Sequence, residues 1–398
     1  MRRIIKNILF DMFVVALLCG GIVFIRQNYN IERVFEQYTE ASNIRLPEIP
    51  ETEPEEIFAR RAENPAPDLN PEEIIEEEPA AARSYVKRKL RREVTIGAVG
   101  DVSLASNYVK PYLYSFNYYY DNNGREYFFE NVRGIFEQFD ISVANLECAL
   151  TDNDNPAIRR PQPYSYKGKE SYAEILKLGG INIVNLANNH TFDYGQPGFD
   201  DTLAALEAAG IGYFGYDMIL IKEVNGLRVG FIGAWGSGYI SDARLQGFKA
   251  QLDYLDEQGA DLKIVSFHWG NNDEKIQNSN QAYLGRFLID NGADLILGHH
   301  PHVLQGIELY NGRYIVYSLG NFIFDGNIVS DIEHRATIIF EIKYVFEGDK
   351  LAMSEINLIP ALASSERFRN NFQPALAEGD MRDYIINKIE SRSPENPE

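Results

Sequence analysis

The sequence predicts an α/β sandwich with mixed sheets, and three features point there. From Val94 onward, short β-type runs alternate with helical patterns. Several of those runs are continuously apolar, as in strands covered on both faces. Two Asn-Gly dipeptides, Asn225-Gly226 and Asn311-Gly312, lie between strand-like runs and mark tight antiparallel hairpins.

The chain opens Met1-Arg2-Arg3-Ile4-Ile5-Lys6 and is then apolar from Ile8 to Ile25, with Asp11 its single charge. A bilayer-spanning helix needs about 20 such residues. The basic residues ahead of it predict a cytoplasmic Met1 and an extracytoplasmic remainder. No small-residue cleavage site follows Ile25, and Leu17-Leu18 before Cys19 are not the small residues of a lipoprotein signal. Residues 1–30 are therefore expected to form an uncleaved transmembrane helix on the cell membrane.

Residues 31–93 read as a flexible stalk. Pro47, Pro50, Pro54, Pro65, Pro67, Pro71 and Pro79 stand among many Glu, a composition that buries too little apolar surface to offset the entropy of ordering. The basic cluster from Arg83 to Arg92 suits either anionic surface polymers or a solvated helix face. Residues 94–365 are expected to form the folded domain, and 366–398 a tail with a short helix near Met381–Ile389. The strands are expected at Val94–Val99, Ile141–Asn145, Ile181–Leu186, Leu262–His268 and Leu295–Gly298. Helices are expected at Tyr127–Gln138, Ser171–Leu178, Gly198–Ala209, Asp242–Gln258 and Asn280–Asn291. The net charge of −20 excludes a nucleic-acid partner, because phosphate-backbone binding needs a basic face. Two cysteines, Cys19 and Cys148, are too few and too far apart for a disulfide scaffold.

Groups able to bind metal recur just past the carboxyl ends of the expected strands, where α/β folds bind ligands. Asp101 follows the first, Glu147 the second, and Asn189 and His190 the third. His268 ends the fourth, and His299, His300 and His302 follow the fifth. Five of the six histidines fall in these segments, with His334 outside them. That convergence, beside Asp, Glu and Asn, predicts a metal site. Pro301 is expected to keep His300 extended, so that His300 and His302 project to one side. Asn189 and His190 are adjacent and should diverge, one toward metal and the other toward substrate. Asp193 is placed to hydrogen-bond His190 and set its tautomer. Glycines 100, 195, 298 and 320 are expected to let the backbone turn tightly near these ligands. Mixed oxygen and nitrogen donors without Cys argue against a closed structural zinc site. Two divalent ions sharing Glu147 would activate water and neutralise a phosphate-like anion.

Six motifs then occur in one order: Gly100-Asp101-Val102, Ala144-Asn145-Leu146-Glu147, Ala187-Asn188-Asn189-His190 through Gly195, His268-Trp269-Gly270, Gly298-His299-His300-Pro301-His302-Val303, and Tyr317 through Phe322. Together they resemble the CapA/PgsA poly-γ-glutamate capsule synthesis proteins, a branch of the calcineurin-like metallophosphoesterases, from about Val94 to Pro360. The resemblance implies a four-layer αββα sandwich of the metallo-dependent phosphatase type. It implies two divalent ions (manganese, zinc or iron), one held by Asp101, Glu147 and His302 and the other by Glu147, Asn189, His268 and His300. His190 would donate a proton to the leaving group, and His299 would hold no metal. Ser103 stands where the superfamily has His, and Glu147 replaces a bridging Asp. The arginine often seen after the first motif is absent, the chain reading Leu104-Ala105-Ser106. Asn271-Asn272-Asp273 replace the Glu and Tyr that the branch often carries after His-Trp-Gly.

The resemblance implies work on an anionic surface polymer such as poly-γ-glutamate, beside other capsule-synthesis membrane proteins. Three roles stay open on sequence alone: a hydrolase or transferase, a non-catalytic assembly or export subunit, and a generic metallophosphodiesterase.

Overall fold

The computed structural model describes residues 14–18, 21–25, 91–107, 110–154, 165–236, 238, 240–325 and 331–395, in two units, Met1–Glu77 and Glu78–Glu398. In the first unit Val14–Leu18 pairs antiparallel with Gly21–Ile25. This part of the expected transmembrane helix is therefore extended. Its β-branched Val14, Val15, Ile22, Val23 and Ile25 favour strand, and Gly20-Gly21 is a poor helix interior. No helix among the described residues is long and apolar enough to cross a membrane. The remainder of 1–30 and nearly all of the stalk lie outside the described residues.

In the second unit two sheets carry the fold. The first runs in the order Ala375–Leu376, Lys350–Leu362, Ala336–Glu347, Arg91–Val102, Ile141–Leu146, Ile183–Asn185 and Gly212–Phe214, with Asn321–Ile323 pairing on the carboxyl end of Arg91–Val102. The second runs Leu220–Val224, Leu227–Gly236, Leu262–Trp269, Leu295–His299, Arg313–Val316 and Ile307–Tyr310. Each has parallel strands through its middle and antiparallel pairs toward an edge. Both Asn-Gly dipeptides turn hairpins there, with positive φ at both central residues (54° and 72° for Asn225-Gly226, 49° and 72° for Asn311-Gly312).

Strand alternation sorts the apolar side chains into three cores. Val94, Ile96, Ile141 and Val143 of the first sheet meet Val229, Phe231, Leu262, Ile264, Leu295 and Leu297 of the second in a central core. Opposite-facing residues of the first sheet, among them Ala144, Leu146 and Val184, pack against Phe116, Leu176 and Leu206 from helices Phe116–Asn123, Ala173–Gly179 and Gly195–Ala209. Val265, Phe267 and Ile296 of the second sheet pack against Leu252, Leu284 and Leu288 from helices Asp242–Glu257 and Ser279–Asp290. Helix, sheet, sheet and helix thus stack in four layers, which explains the continuously apolar strands.

Some boundaries differ from the sequence expectation. The first strand starts at Arg91, because Arg92 is buried and donates to the carbonyls of Gly226 and Gly348, each at 2.7 Å. The helix expected over Tyr127–Gln138 is two short turns, Glu126–Phe129 and Arg133–Phe136. The third expected strand keeps only Ile183–Asn185. The C-terminal segment belongs to the domain: helix Gly379–Arg392 buries Ile385 and Ile389 in the central core. Its Arg392 donates to Glu333 at 2.7 Å and to the carbonyl of Leu304, and Lys388 pairs with the same Glu333.

Burial by itself would raise the Glu333 pKa, but the Lys388 and Arg392 hydrogen bonds outweigh it and bring it to about 2. A carboxylate held below its ordinary 4.5 stabilises the fold above that value and loses the contribution as pH falls toward 2. Glu333→Gln should therefore cost about 1–3 kcal/mol at neutral pH. In denaturant titrations across pH, the gap between wild type and variant should close on acidification below about pH 5. A gap that is constant with pH would sink this account of the clamp.

Candidate metal centre

The strand ends of both sheets meet in one cleft. The first sheet supplies Asp101 at the end of Arg91–Val102, Glu147 just past Ile141–Leu146, and Asn189 and His190 in the loop after Ile183–Asn185. The second supplies His268 within Leu262–Trp269, and His300 and His302 in the loop after Leu295–His299. Backbones approach closely behind this edge. A Cβ on Gly100 would lie 1.8 Å from the Gly320 carbonyl oxygen, and one on Gly298 would lie 2.1 Å from that of Tyr317. These two glycines serve close approach rather than turning, whereas Gly195 and Gly320 do have positive φ.

Glu147 is at the centre. Its Oε1 lies 3.7 Å from His268 Nε2, 3.9 Å from His190 Nε2 and 3.9 Å from His302 Nε2. Among the described residues, two sets of potential ligand atoms cluster within 4.8 Å of one another: Asp101, Glu147 and His268, and Glu147, His300 and His302. Glu147 is common to both. The resemblance groups Asp101 with His302 instead, and those two also touch, Asp101 Oδ2 lying 3.1 Å from His302 Nδ1. Asn189 Oδ1 and His268 Nε2 are 2.7 Å apart, joined by a hydrogen bond that an ion held by both would replace.

The donor set fits a divalent cation. Glu147 is fully buried, and neither carboxylate oxygen accepts from an N–H or O–H donor, the Asp101 carboxyl being the side chain within hydrogen-bond reach. An ionised carboxylate in that setting costs several kcal/mol unless a cation compensates it. Burial, with the Asp101 charge beside it, pushes the Glu147 pKa well above the usual carboxylate range when no cation is there. For Asp101, burial pushes upward too, but the His302 and Asn145 contacts prevail and keep it ionised below its ordinary value. His268, His299 and His300 are neutral, the form a ligating imidazole needs. Burial and neighbouring imidazoles put His268 well below its ordinary value, and burial takes His299 and His300 to about 4.

Asparagines that sequence reasoning did not single out orient this set. Asn145 donates to Asp101 Oδ1 at 2.8 Å and to His268 Nδ1 at 3.2 Å, while its carbonyl accepts from Asn185 and Asn188 at 3.0 and 3.3 Å. With no ion bound, that arrangement leaves the His268 proton on Nε2, donated to Asn189 Oδ1, so ligation through Nε2 requires the other tautomer, with the proton on Nδ1. His302 Nδ1 faces Asn321 Oδ1 at 3.0 Å as well as Asp101, which turns its Nε2 toward Glu147. The signal available in sequence was a lone Asn inside apolar strand Ile141–Leu146, where a buried amide must find partners.

Three other histidines take distinct settings. His190 Nδ1 lies 2.7 Å from Asp193 Oδ2, which also accepts from the Tyr166 N–H at 2.9 Å, and the Tyr166 ring meets the imidazole edge-on at 4.7 Å. His299 is buried with Nδ1 3.7 Å from Asp101 Oδ1, and neither ring nitrogen is hydrogen-bonded. His334, which the sequence left apart, pairs with Asp273 at 2.6 Å beside the Pro301 carbonyl, to which the Asp273 N–H donates. A further expectation fails: His300 and His302 are not extended. Their φ values are 96° and 59°, so the rings, 5.8 Å apart, converge through a strained loop. Such strain is kept where a site over-determines it.

The family model for the bacterial capsule synthesis protein PGA_cap matches residues 95–326, which include every cleft residue named above. The chain belongs to this capsule synthesis family. Among its relatives, the capsule biosynthesis protein CapA of Bacillus anthracis is 32% identical over 262 residues, 60% of this chain and 62% of that one. The PGA biosynthesis protein CapA of Bacillus subtilis is 35% identical over 223 residues, 52% of this chain and 58% of that one. This member of the capsule family thus spans about three fifths of the length of the curated relatives it matches. Among solved structures, a purple acid phosphatase from yellow lupin aligns at 9% identity and a TM-score of 0.32, over 78% of this chain and 57% of that one.

The orphaned carboxylate of this capsule-family cleft makes a stability prediction. Divalent manganese or zinc should raise the melting temperature of the wild type, a ligand at about 100 times its Kd adding about 2.7 kcal/mol. Glu147→Gln, stripped of metal, should be at least as stable as stripped wild type, yet gain nothing from metal. A variant that still gains the full shift would remove Glu147 from the ligand set.

Proposed function

We propose that the chain serves the synthesis, export or anchoring of an anionic surface polymer of the poly-γ-glutamate type, and that its metal-loaded cleft hydrolyses a bond of that polymer or a phosphoester. The observation that carries this reading is the buried Glu147, which has no N–H or O–H donor, amid the rings of His190, His268 and His302. Asp101, Glu147, Asn189, His268, His300 and His302 would hold two divalent ions. When bound, these supply a Lewis-acid centre and a nucleophilic water near neutral pH.

The chain's own residues do the rest. Asp193 accepts from His190 Nδ1, so the ring presents Nε2 to the cleft beside Glu147. From there a protonated His190 donates to the leaving atom, and Asp193 keeps the ring oriented through the transfer. Tyr166 and Phe324 wall His190 and His302 with aromatic carbon, limiting water at the proton-transfer end.

A non-catalytic polymer-holding role is the second reading, favoured by Ser103, which leaves the first motif one imidazole short of the superfamily pattern. We further propose that the apolar stretch Ile8–Ile25 keeps the protein at the cell membrane with its C-terminal domain outside. Protease accessibility on intact cells tests that topology.

Turnover separates the two readings. Purified protein loaded with manganese or zinc should cleave γ-linked polyglutamate or a phosphodiester. His190→Ala should lower kcat by about 10²–10⁴-fold while metal content stays at the wild-type level. Full metal content without turnover on either substrate would overturn the hydrolase and leave the assembly role.

A further inference from the structure

Beside the cleft lies a second feature that the metal chemistry does not use. A pocket of ≈ 420 Å³, of the size that binds small ligands, is lined by Ser106, Ser165, Tyr194, Lys110, Lys167 and Lys169. Its lining adjoins the proton-transfer end of the site along the chain. Ser165 and Lys167 flank Tyr166, whose ring packs on His190 at 4.7 Å, and Tyr194 follows Asp193. Three cations converging there stand out in a chain of net charge −20.

The lysines differ in how firmly they are held. Lys110 pairs with Asp325, whose side chain is fully buried, and this pair is structural. Lys167, itself only 20% exposed, pairs with Asp154, a pocket-lining carboxylate whose side chain is 86% exposed, and also reaches the Asn153 carbonyl at 3.4 Å. Lys169 lies 4.0 Å from Asp121, both side chains near half exposed, and over the rings of Tyr120 and Tyr172 at 5.7 and 5.8 Å. An exposed pair such as Lys169–Asp121 is worth about 0–1 kcal/mol, and Asp154 stays in solvent whether or not it pairs with Lys167. An incoming carboxylate can therefore replace Asp154 and Asp121 at little cost, whereas it cannot displace Asp325. Asp152, also on the wall, disfavours a single free anion held deep in the pocket. A chain with carboxylates at intervals can meet Lys167 and Lys169 while its neutral backbone passes Asp152.

We infer that this pocket is a subsite for the carboxylates of a polyglutamate chain, with Lys167 and Lys169 as its cationic contacts, holding the polymer beside His190. The inference rests on the polymer reading above. It answers the charge problem that reading creates, since a strongly acidic protein must supply local cations to hold a polyanion.

The test is calorimetric binding of a short γ-linked glutamate oligomer, and of its α-carboxamide counterpart, to the full metal-loaded chain. Wild type should bind the acid and not the amide. Lys167→Ala and Lys169→Ala should each weaken binding about tenfold, one charge-assisted hydrogen bond apiece. Lys167→Arg should retain most of it. Metal content and melting temperature, measured on every variant, should stay at wild-type values. Acid binding that survives the double alanine variant overturns the subsite and leaves the proposed function standing. Equal binding of acid and amide overturns carboxylate recognition. Failure of wild type to bind the acid overturns the subsite and the polymer reading together, and turnover of a phosphodiester by the same sample would then show that the hydrolytic centre itself is sound.

Discussion

Glu147 is a carboxylate with no hydrogen-bond donor, fully buried where the strand ends of two sheets meet. Water would solvate it, but its side chain has no accessible surface. Protein donors would satisfy it, yet the nearest ring nitrogens are 3.7 to 3.9 Å away. Those separations are longer than a hydrogen bond. Much of the surrounding architecture follows from keeping that carboxylate there and keeping several imidazoles neutral around it.

Two devices hold the geometry. One is close backbone packing at Gly100 and Gly298, where any side chain would collide with the carbonyl of Gly320 or Tyr317 and push the two strand ends from their positions. The other is the asparagine network, in which Asn145 ties Asp101 to His268 and Asn321 turns His302 inward. Both act through groups without charge, so they orient the ligands without competing for the cation. The C-terminal helix adds a remote brace, since Arg392 reaches from it to the Leu304 carbonyl, two residues beyond His302.

Electrostatics divides the protein between long and short range. Its net charge of −20 repels a polyanion at a distance and is screened within about 8 Å at physiological salt. Inside that distance the local arrangement decides, and the pocket behind Tyr166 gathers three lysines whose partners range from a buried to an almost fully exposed carboxylate. The difference in partner burial, more than the lysine count, separates structural cations from those available to a ligand.

The layered α/β architecture, the two Asn-Gly hairpins and the family were legible in the sequence, because each depends on local pattern: apolar period, turn chemistry and short motifs at strand ends. The residues gathered in the cleft were legible for the same reason, as strand-end side chains of parallel strands share one edge. What the sequence left undetermined depends on contacts between distant segments. The left-handed backbone at His300 and His302 overrides the extended preference before Pro301. Asp273 reaches His334 across 61 positions, and Arg392 reaches Glu333 across 59. The apolar Ile8–Ile25 stretch supports helix or strand by composition alone, and part of it is paired as strand. Local preferences are worth a few tenths of a kcal/mol to about 1 kcal/mol per residue, so partners brought from elsewhere in the chain decide such positions. The sequence by itself determined which chemical groups this cleft could hold, and only the tertiary structure decided that Glu147 would stand there without a donor.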